Sequence, residues 1–227
     1  MYIKSFCFNG FGTNCYLLWD AGGAGVAVDP GMLDAPEWEA FEDTLAKEGV
    51  SLGEIWLTHG HFDHIYGAAR LAGKYGAVIR MSPEDRPVLE GGNSFASAFG
   101  LPAPDAGFRF ESLADGQELG FGSCTFKVIT TPGHTPGSVC FYDGADKVLL
   151  SGDTLFAGSI GRTDLPYGDY DKLIVSVMDK IMGLPGDTDV LPGHGGRTDI
   201  GYERTHNPFL QPFNEPEEDL EAPEDTD

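Results

Sequence analysis

Four side chains able to ligate a metal fall within six residues of one another, His59, His61, Asp63 and His64, in the run His59-Gly60-His61-Phe62-Asp63-His64. With Gly60 and Phe62 spacing them, the imidazoles of His59 and His61 can point the same way from an extended backbone, and Asp63 and His64 then reach a neighbouring position. The chain has only six histidines. Two more lie in Gly- and Pro-bearing junctions after apolar runs: His134 in Thr130-Thr131-Pro132-Gly133-His134, and His194 in Val190-Leu191-Pro192-Gly193-His194. Asp153 follows the apolar run Val148-Leu149-Leu150 in the same way. His206 has no such setting and reads as an ordinary structural residue.

Five histidines and two aspartates exceed the needs of one tetrahedral ion and suit two ions sharing a carboxylate. One site takes His59, His61 and His134 with Asp153; the other takes Asp63, His64 and His194 with the second oxygen of Asp153. Two cations bring the pKa of a bridging water from about 15.7 toward neutrality, so a hydroxide nucleophile is available at cell pH. Nitrogen and oxygen donors without cysteine admit Zn, Fe or Mn, and ligand type alone does not choose among them; the expected cofactors are two divalent ions, Zn2+ ahead of Fe or Mn.

These ligands need strands that end where they begin. Strands are expected at Tyr2–Phe8, Asn14–Trp19, Gly25–Asp29, Glu54–Thr58, Ala77–Met81, Cys124–Thr131, Ser138–Tyr142, Lys147–Ser151 and Asp187–Leu191, rich in Val, Ile and aromatics and bounded by turn residues. Several are continuous apolar runs, as in strands buried on both faces. A helix begins at the N-cap Asp34, with Glu37 three residues on and Trp38, Phe41 and Leu45 on one face, and stops at Gly49. A second runs from about His64 to Tyr75, and a third from Tyr170 to Met182 carries the stripe Leu173, Ile174, Val177, Met178 and Ile181.

The 227 residues carry a net charge of −22, which opposes extended contact with nucleic acid. No apolar run is long enough to span a bilayer, and the first residues lack the pattern of a secretory signal, so a cytoplasmic protein without membrane contact is expected. Cys7, Cys15, Cys124 and Cys140 form no CxxC pair and read as buried free thiols. The body is expected to be one domain, residues 1–213. Residues 214–227 hold eight acidic side chains and no basic one, the composition of a disordered tail.

The motifs HGHFDH, TPGHTPGS, SGDTLF, GSIGRTDLP and LPGHGG, in this order, resemble those of the metallo-β-lactamase superfamily and, more narrowly, of glyoxalase II, the hydroxyacylglutathione hydrolases. The resemblance runs from Asn14 through Asn207-Pro208-Phe209. It implies an α+β fold, a four-layer αββα sandwich with metals at the strand ends along one edge, and metal ligands at His59, His61, Asp63, His64, His134, Asp153 and His194. Asp153 stands where β-lactamases themselves usually have a cysteine, so a β-lactam is not the expected substrate. Fewer than twenty residues separate His194 from the acidic tail, leaving no room for the helical extension that helps glyoxalase II grip glutathione. The likeness is therefore to the short bacterial-type hydrolases.

The implied activity is hydrolysis of a small thioester such as S-lactoylglutathione, with Asp63 orienting the bridging hydroxide as a catalytic residue. Arg162, on a Gly-flanked loop, either clamps a substrate carboxylate or pairs with Asp164 to pin its own loop. Asp29 before Pro30-Gly31 supports the ligand loop by accepting a hydrogen bond or simply caps a turn. Two other functions compete: a persulfide dioxygenase with one iron held by two histidines and Asp153, and a metal-holding module without catalysis.

Overall fold

In the computed structural model, which describes residues 1–211, the chain folds as two six-stranded sheets packed face to face, with helices outside each. The acidic tail expected at residues 214–227 lies outside the described residues, as does the end of the domain at 213. The first sheet holds β1 (Tyr2–Phe8), β2 (Thr13–Trp19), β3 (Ala24–Val28), β4 (Ser51–Trp56), β5 (Val78–Met81) and β6 (Glu111–Ser112) in that order. β1 to β3 pair antiparallel and β3 to β6 parallel.

The second sheet contains β7 (Glu118–Phe121), β8 (Cys124–Thr130), β9 (Val139–Asp143) and β10 (Val148–Gly152). After a small hairpin of β11 (Leu155–Phe156) and β12 (Ser159–Ile160), it is completed by β13 (Asp189–Pro192) and β14 (Thr198–Asp199). Its spatial order is β14-β13-β10-β9-β8-β7, with only β10 and β13 parallel.

The period-2 geometry of a strand explains the continuous apolar runs. Leu17, Ala27 and Ile55 face the helices of the first sheet, whereas their neighbours Leu18, Val26, Val28 and Trp56 face the second sheet. There Trp56 sits 5.1 to 5.9 Å, ring to ring, from Phe121, Phe126 and Phe141. On the far side of the second sheet, Ile129, Leu149 and Val190 pack under Leu173, Ile174, Val177 and Ile181. The result is the four-layer sandwich that the motifs imply.

The first helix, α1 (Ala35–Glu48), has the expected capping box between Asp34 and Glu37 and ends at Gly49 with φ 66°. The helix expected from His64 to Tyr75 is instead two, α2 (Phe62–Ile65) and α3 (Ala68–Tyr75). The chain turns at Gly67, whose N–H donates to the Pro30 carbonyl at 2.6 Å, and a Cβ there would lie 2.7 Å from that oxygen. α4 (Arg86–Ala98) was not legible, because Pro87, Gly91 and Gly92 interrupt any helical pattern and each glycine costs about 1 kcal/mol relative to alanine. α5 (Tyr170–Ser176) continues into a π-helical turn over Val177–Ile181, and α6 (Ile200–His206) follows β14. The nine expected strands are all present to within three residues, and β6, β7, β11, β12 and β14 are additions.

The four cysteines are free; Cys15, Cys124 and Cys140 are buried as expected, but Cys7 is exposed because edge strand β1 turns most of its side chains outward. Among the described residues, no helix is long and apolar enough to cross a membrane.

Candidate metal centre

The five junctions that carry the ligating residues and Asp29 lie at one edge of the sandwich for a topological reason. β3 and β4 are parallel, β8 and β10 are each antiparallel to β9, and β13 is parallel to β10. The carboxyl ends of β3 and β4 therefore agree within the first sheet, as those of β8, β10 and β13 do within the second. Asp29, His59, His134, Asp153 and His194 follow these five ends within four residues. α2 carries Asp63 and His64, with His61 as its N-cap residue.

Two trios result. His59, His61 and His134 form one, with ring centroids 4.7 to 4.9 Å apart and the His61 Nδ1 2.9 Å from the His134 Nε2. Asp63, His64 and His194 form the other: the Nε2 atoms of His64 and His194 are 3.2 Å apart, and each is 3.5 Å from the Asp63 Oδ2. Asp153 stands between them. Its Oδ2 is 3.4 Å from the His134 Nε2 and 3.5 Å from the His194 Nε2, and its Oδ1 is 3.5 Å from the His64 Nε2.

In His59, His64, His134 and His194 the ring nitrogen turned away from the centre has a fixed partner, which sets the tautomer. The His134 Nδ1 donates to the Arg162 carbonyl at 2.7 Å, and the His194 Nδ1 to the Phe11 carbonyl at 3.2 Å. Asp29 serves two rings. Its carboxylate accepts the His64 Nδ1 at 3.0 Å, the Thr58 hydroxyl at 2.6 Å and the Thr58 amide at 2.8 Å. The Thr58 oxygen, its own hydrogen given to Asp29, accepts the His59 Nδ1 at 3.0 Å. Of the two arrangements expected for Asp29, the structure has the support of the ligand loop, from a residue held at φ 48°.

Asp85 was missed by sequence reasoning. Fully buried, its carboxylate accepts the Gly60 amide at 2.7 Å, the Gly137 amide at 2.5 Å and the Thr135 hydroxyl at 2.8 Å. It thus ties the loop of His59 and His61 to the loop of His134. Burial, against these three hydrogen bonds, raises its pKa. In sequence it stands in Ser82-Pro83-Glu84-Asp85-Arg86, which reads as a solvated turn; the one signal is the helix-opening pattern with Asp three residues after Ser.

The residues fit divalent cations. The buried His59 Nε2 and Asp153 Oδ1 have no hydrogen-bond partner among the described residues, the state of donors made for an ion. Burial lowers the pKa of His59, and burial with the nearby His134 lowers that of His61 to about 3, so both rings are neutral and present lone pairs. His64 is the opposite case: against burial, Asp63, Asp153 and Asp29 raise it to about 10. Asp63 is ionised, its burial outweighed by the proximity of His64 and hydrogen bonds from His194 and the Thr13 hydroxyl, the latter at 2.8 Å.

The chain matches the family model of the metallo-beta-lactamase superfamily over residues 8–194. It belongs to the metallo-β-lactamase superfamily. It is 38% identical over 216 residues to hydroxyacylglutathione hydrolase GloC of Haemophilus influenzae, covering 92% of this chain and 98% of that one. A solved structure of BLEG-1 B3 metallo-beta-lactamase superposes with a TM-score of 0.85 at 37% identity, over 92% of this chain and 99% of the other. TTHA1623 in a di-iron-bound form superposes at 0.81, also at 37% identity, over 92% and 100%.

Within this superfamily member Arg162 makes the internal pair rather than standing free: its Nε and Nη2 each lie 2.8 Å from an oxygen of Asp164, and the pair is largely exposed. What Arg162 gives to the centre is its backbone carbonyl, on His134. His206 lies outside the cluster, stacked on Tyr202 at 4.4 Å.

Proposed function

We propose that this protein hydrolyses a small thioester, with S-lactoylglutathione the first candidate, using two divalent cations. His59, His61 and His134 hold one, Asp63, His64 and His194 the other, and Asp153 ligates both. The observation that carries this reading is the Asp153 carboxylate, within 3.5 Å of a ligating nitrogen of each trio. When bound, the cations supply an activated water and polarise the substrate carbonyl. The chain's own residues do the rest. Asp29 and the carbonyls of Phe11 and Arg162 keep imidazole lone pairs aimed inward. Asp63, held by Thr13, stays ionised and orients the attacking water.

The thioester is favoured by likeness to GloC over almost the whole of both chains. Convergence of His64 and His194 on Asp153 speaks for a second ion and against a single iron held by two histidines and Asp153. Zn2+ and iron both suit the donor set, and the di-iron form of TTHA1623 keeps iron in view.

The reading is tested with S-lactoylglutathione, an acyl-coenzyme A and a chromogenic cephalosporin under identical conditions. Thioester turnover at least about a hundredfold above that of the cephalosporin is expected, about 2.7 kcal/mol of transition-state free energy. The reverse order would make the protein a β-lactamase.

A further inference from the structure

The loop that follows the β11–β12 hairpin is fixed to the first trio at both ends. A Cβ on Gly161 would overlap the Asp153 carbonyl and lie 3.1 Å from the His134 Cβ, and the Arg162 carbonyl accepts the His134 Nδ1 hydrogen at 2.7 Å. At the far end, the Asp169 amide donates to the carbonyl of Gly133, next to His134, at 2.7 Å. Between these anchors the Gly168 amide donates to the Leu165 carbonyl at 2.9 Å, closing a turn with Pro166 and Tyr167 at its centre. Proline holds φ at about −65° and Tyr167 has φ 73°, so the turn is type II.

The third position of a type II turn suits glycine, which takes a left-handed φ at no steric cost; a bulky side chain there is an outlier. Packing does not account for the tyrosine. Tyr167 is 58% exposed and makes no hydrogen bond or ring contact among the described residues. It stands instead beside the metal centre, lining one crevice with His61 and Phe62. The crevice itself, about 30 Å3, has room for a water and no larger group, so a ligand of Tyr167 meets its outward face.

We propose that Tyr167 is a specificity-determining residue that grips the thiol carrier of the substrate, its ring lying against a peptide-like chain and its hydroxyl hydrogen-bonded to an amide or carboxylate of that chain. The reacting carbonyl must lie at the metals and a lactoyl group is short, so the part of the substrate that extends out to an exposed ring is the carrier. A tyrosine suits it, with an apolar face and a polar tip on one stiff side chain. Arg162 on the same loop is engaged by Asp164, which leaves the neutral Tyr167 hydroxyl as a donor. Anchored on His134 at both ends, the loop holds this ring in a fixed place relative to the metals. The inference rests on the thioester reading.

The test compares S-lactoylglutathione with S-methyl thiolactate, which keeps the acyl group and has no carrier, on the metal-replete full chain. For Tyr167→Gly we expect KM for S-lactoylglutathione to rise about tenfold with kcat within about twofold, and kcat/KM for S-methyl thiolactate to stay within about twofold. Tyr167→Phe, which keeps the ring, should raise the first KM about threefold. Metal content should match the parent's, and the thermal midpoint of Tyr167→Gly should equal or exceed it, because glycine suits the turn. An unchanged KM, an equal loss on both substrates, or a lower midpoint with lost metal overturns this inference and leaves the thioester reading intact. Hydrolysis of neither substrate by the parent overturns that reading. Calorimetry with S-acetonylglutathione, a thioether that cannot be hydrolysed, then still decides the grip: binding about tenfold weaker to Tyr167→Gly supports it, and equal binding or none overturns it.

Discussion

His64 donates its Nδ1 hydrogen to the Asp29 carboxylate at 3.0 Å, and both side chains are almost wholly buried. Through Thr58 the same carboxylate also fixes His59, so one residue outside both trios orients a ring in each. Asp29→Ala is expected to weaken metal affinity by about tenfold to a hundredfold, the usual cost of losing an outer partner of a ligating histidine. Competition against a chelator of known affinity measures this; an unchanged affinity would leave Asp29 a turn residue only.

Gly193 passes close against two of the ligating side chains. A Cβ there would overlap the Asp153 Oδ1 and lie 2.9 Å from the His64 Cε1. Gly193→Ala should cost most of the bound metal and of the turnover, whereas Gly196→Ala, whose Cβ meets nothing within 4 Å, should keep both. Equal metal content in the two variants would contradict the packing drawn here.

The opposed titration of the histidines predicts how metal uptake depends on pH. His64, raised to about 10, carries a proton at pH 7 that a cation must displace, whereas His59 and His61 are already neutral. Affinity of the His64 site should therefore increase from pH 7 to 9, by up to about tenfold per unit, with proton release on binding. Calorimetry in buffers of different ionisation enthalpy counts those protons, and a count of zero at pH 7 would refute the assignment.

Asp85 supplies a stability signature. Its folded pKa is raised, so its contribution is fully present below the unfolded value of about 3.9 and is lost as pH rises through the folded one. The stability difference between parent and Asp85→Asn should thus shift against the parent as pH rises from about 4, seen in urea midpoints with chelator present. A difference independent of pH would mean that Asp85 titrates normally.

Much of this was legible in the residues. The strands announced themselves through Val, Ile and aromatic runs, and His59, His61, Asp63, His64, His134, Asp153 and His194 stood out by type and by the junctions they occupy. Asp85 did not, because the partners that define it, Gly60, Thr135 and Gly137, are distant in sequence and two of them offer only backbone. α4 was hidden by Gly91 and Gly92, and the break before α3 by a contact between Gly67 and Pro30 that no local pattern encodes. Arg162 was ambiguous because its sequence neighbour Asp164 suits either role; the structure shows the bidentate pair with Asp164.

The central claim is a centre of two cations that share Asp153 and hydrolyse a thioester. It is met most directly by counting metal ions per chain on protein purified without added metal, and following S-lactoylglutathione hydrolysis on the same sample before and after chelation. The account predicts two divalent ions per chain, with turnover abolished by the chelator and restored by metal. One iron per chain, no hydrolysis and oxygen uptake with glutathione persulfide would contradict it.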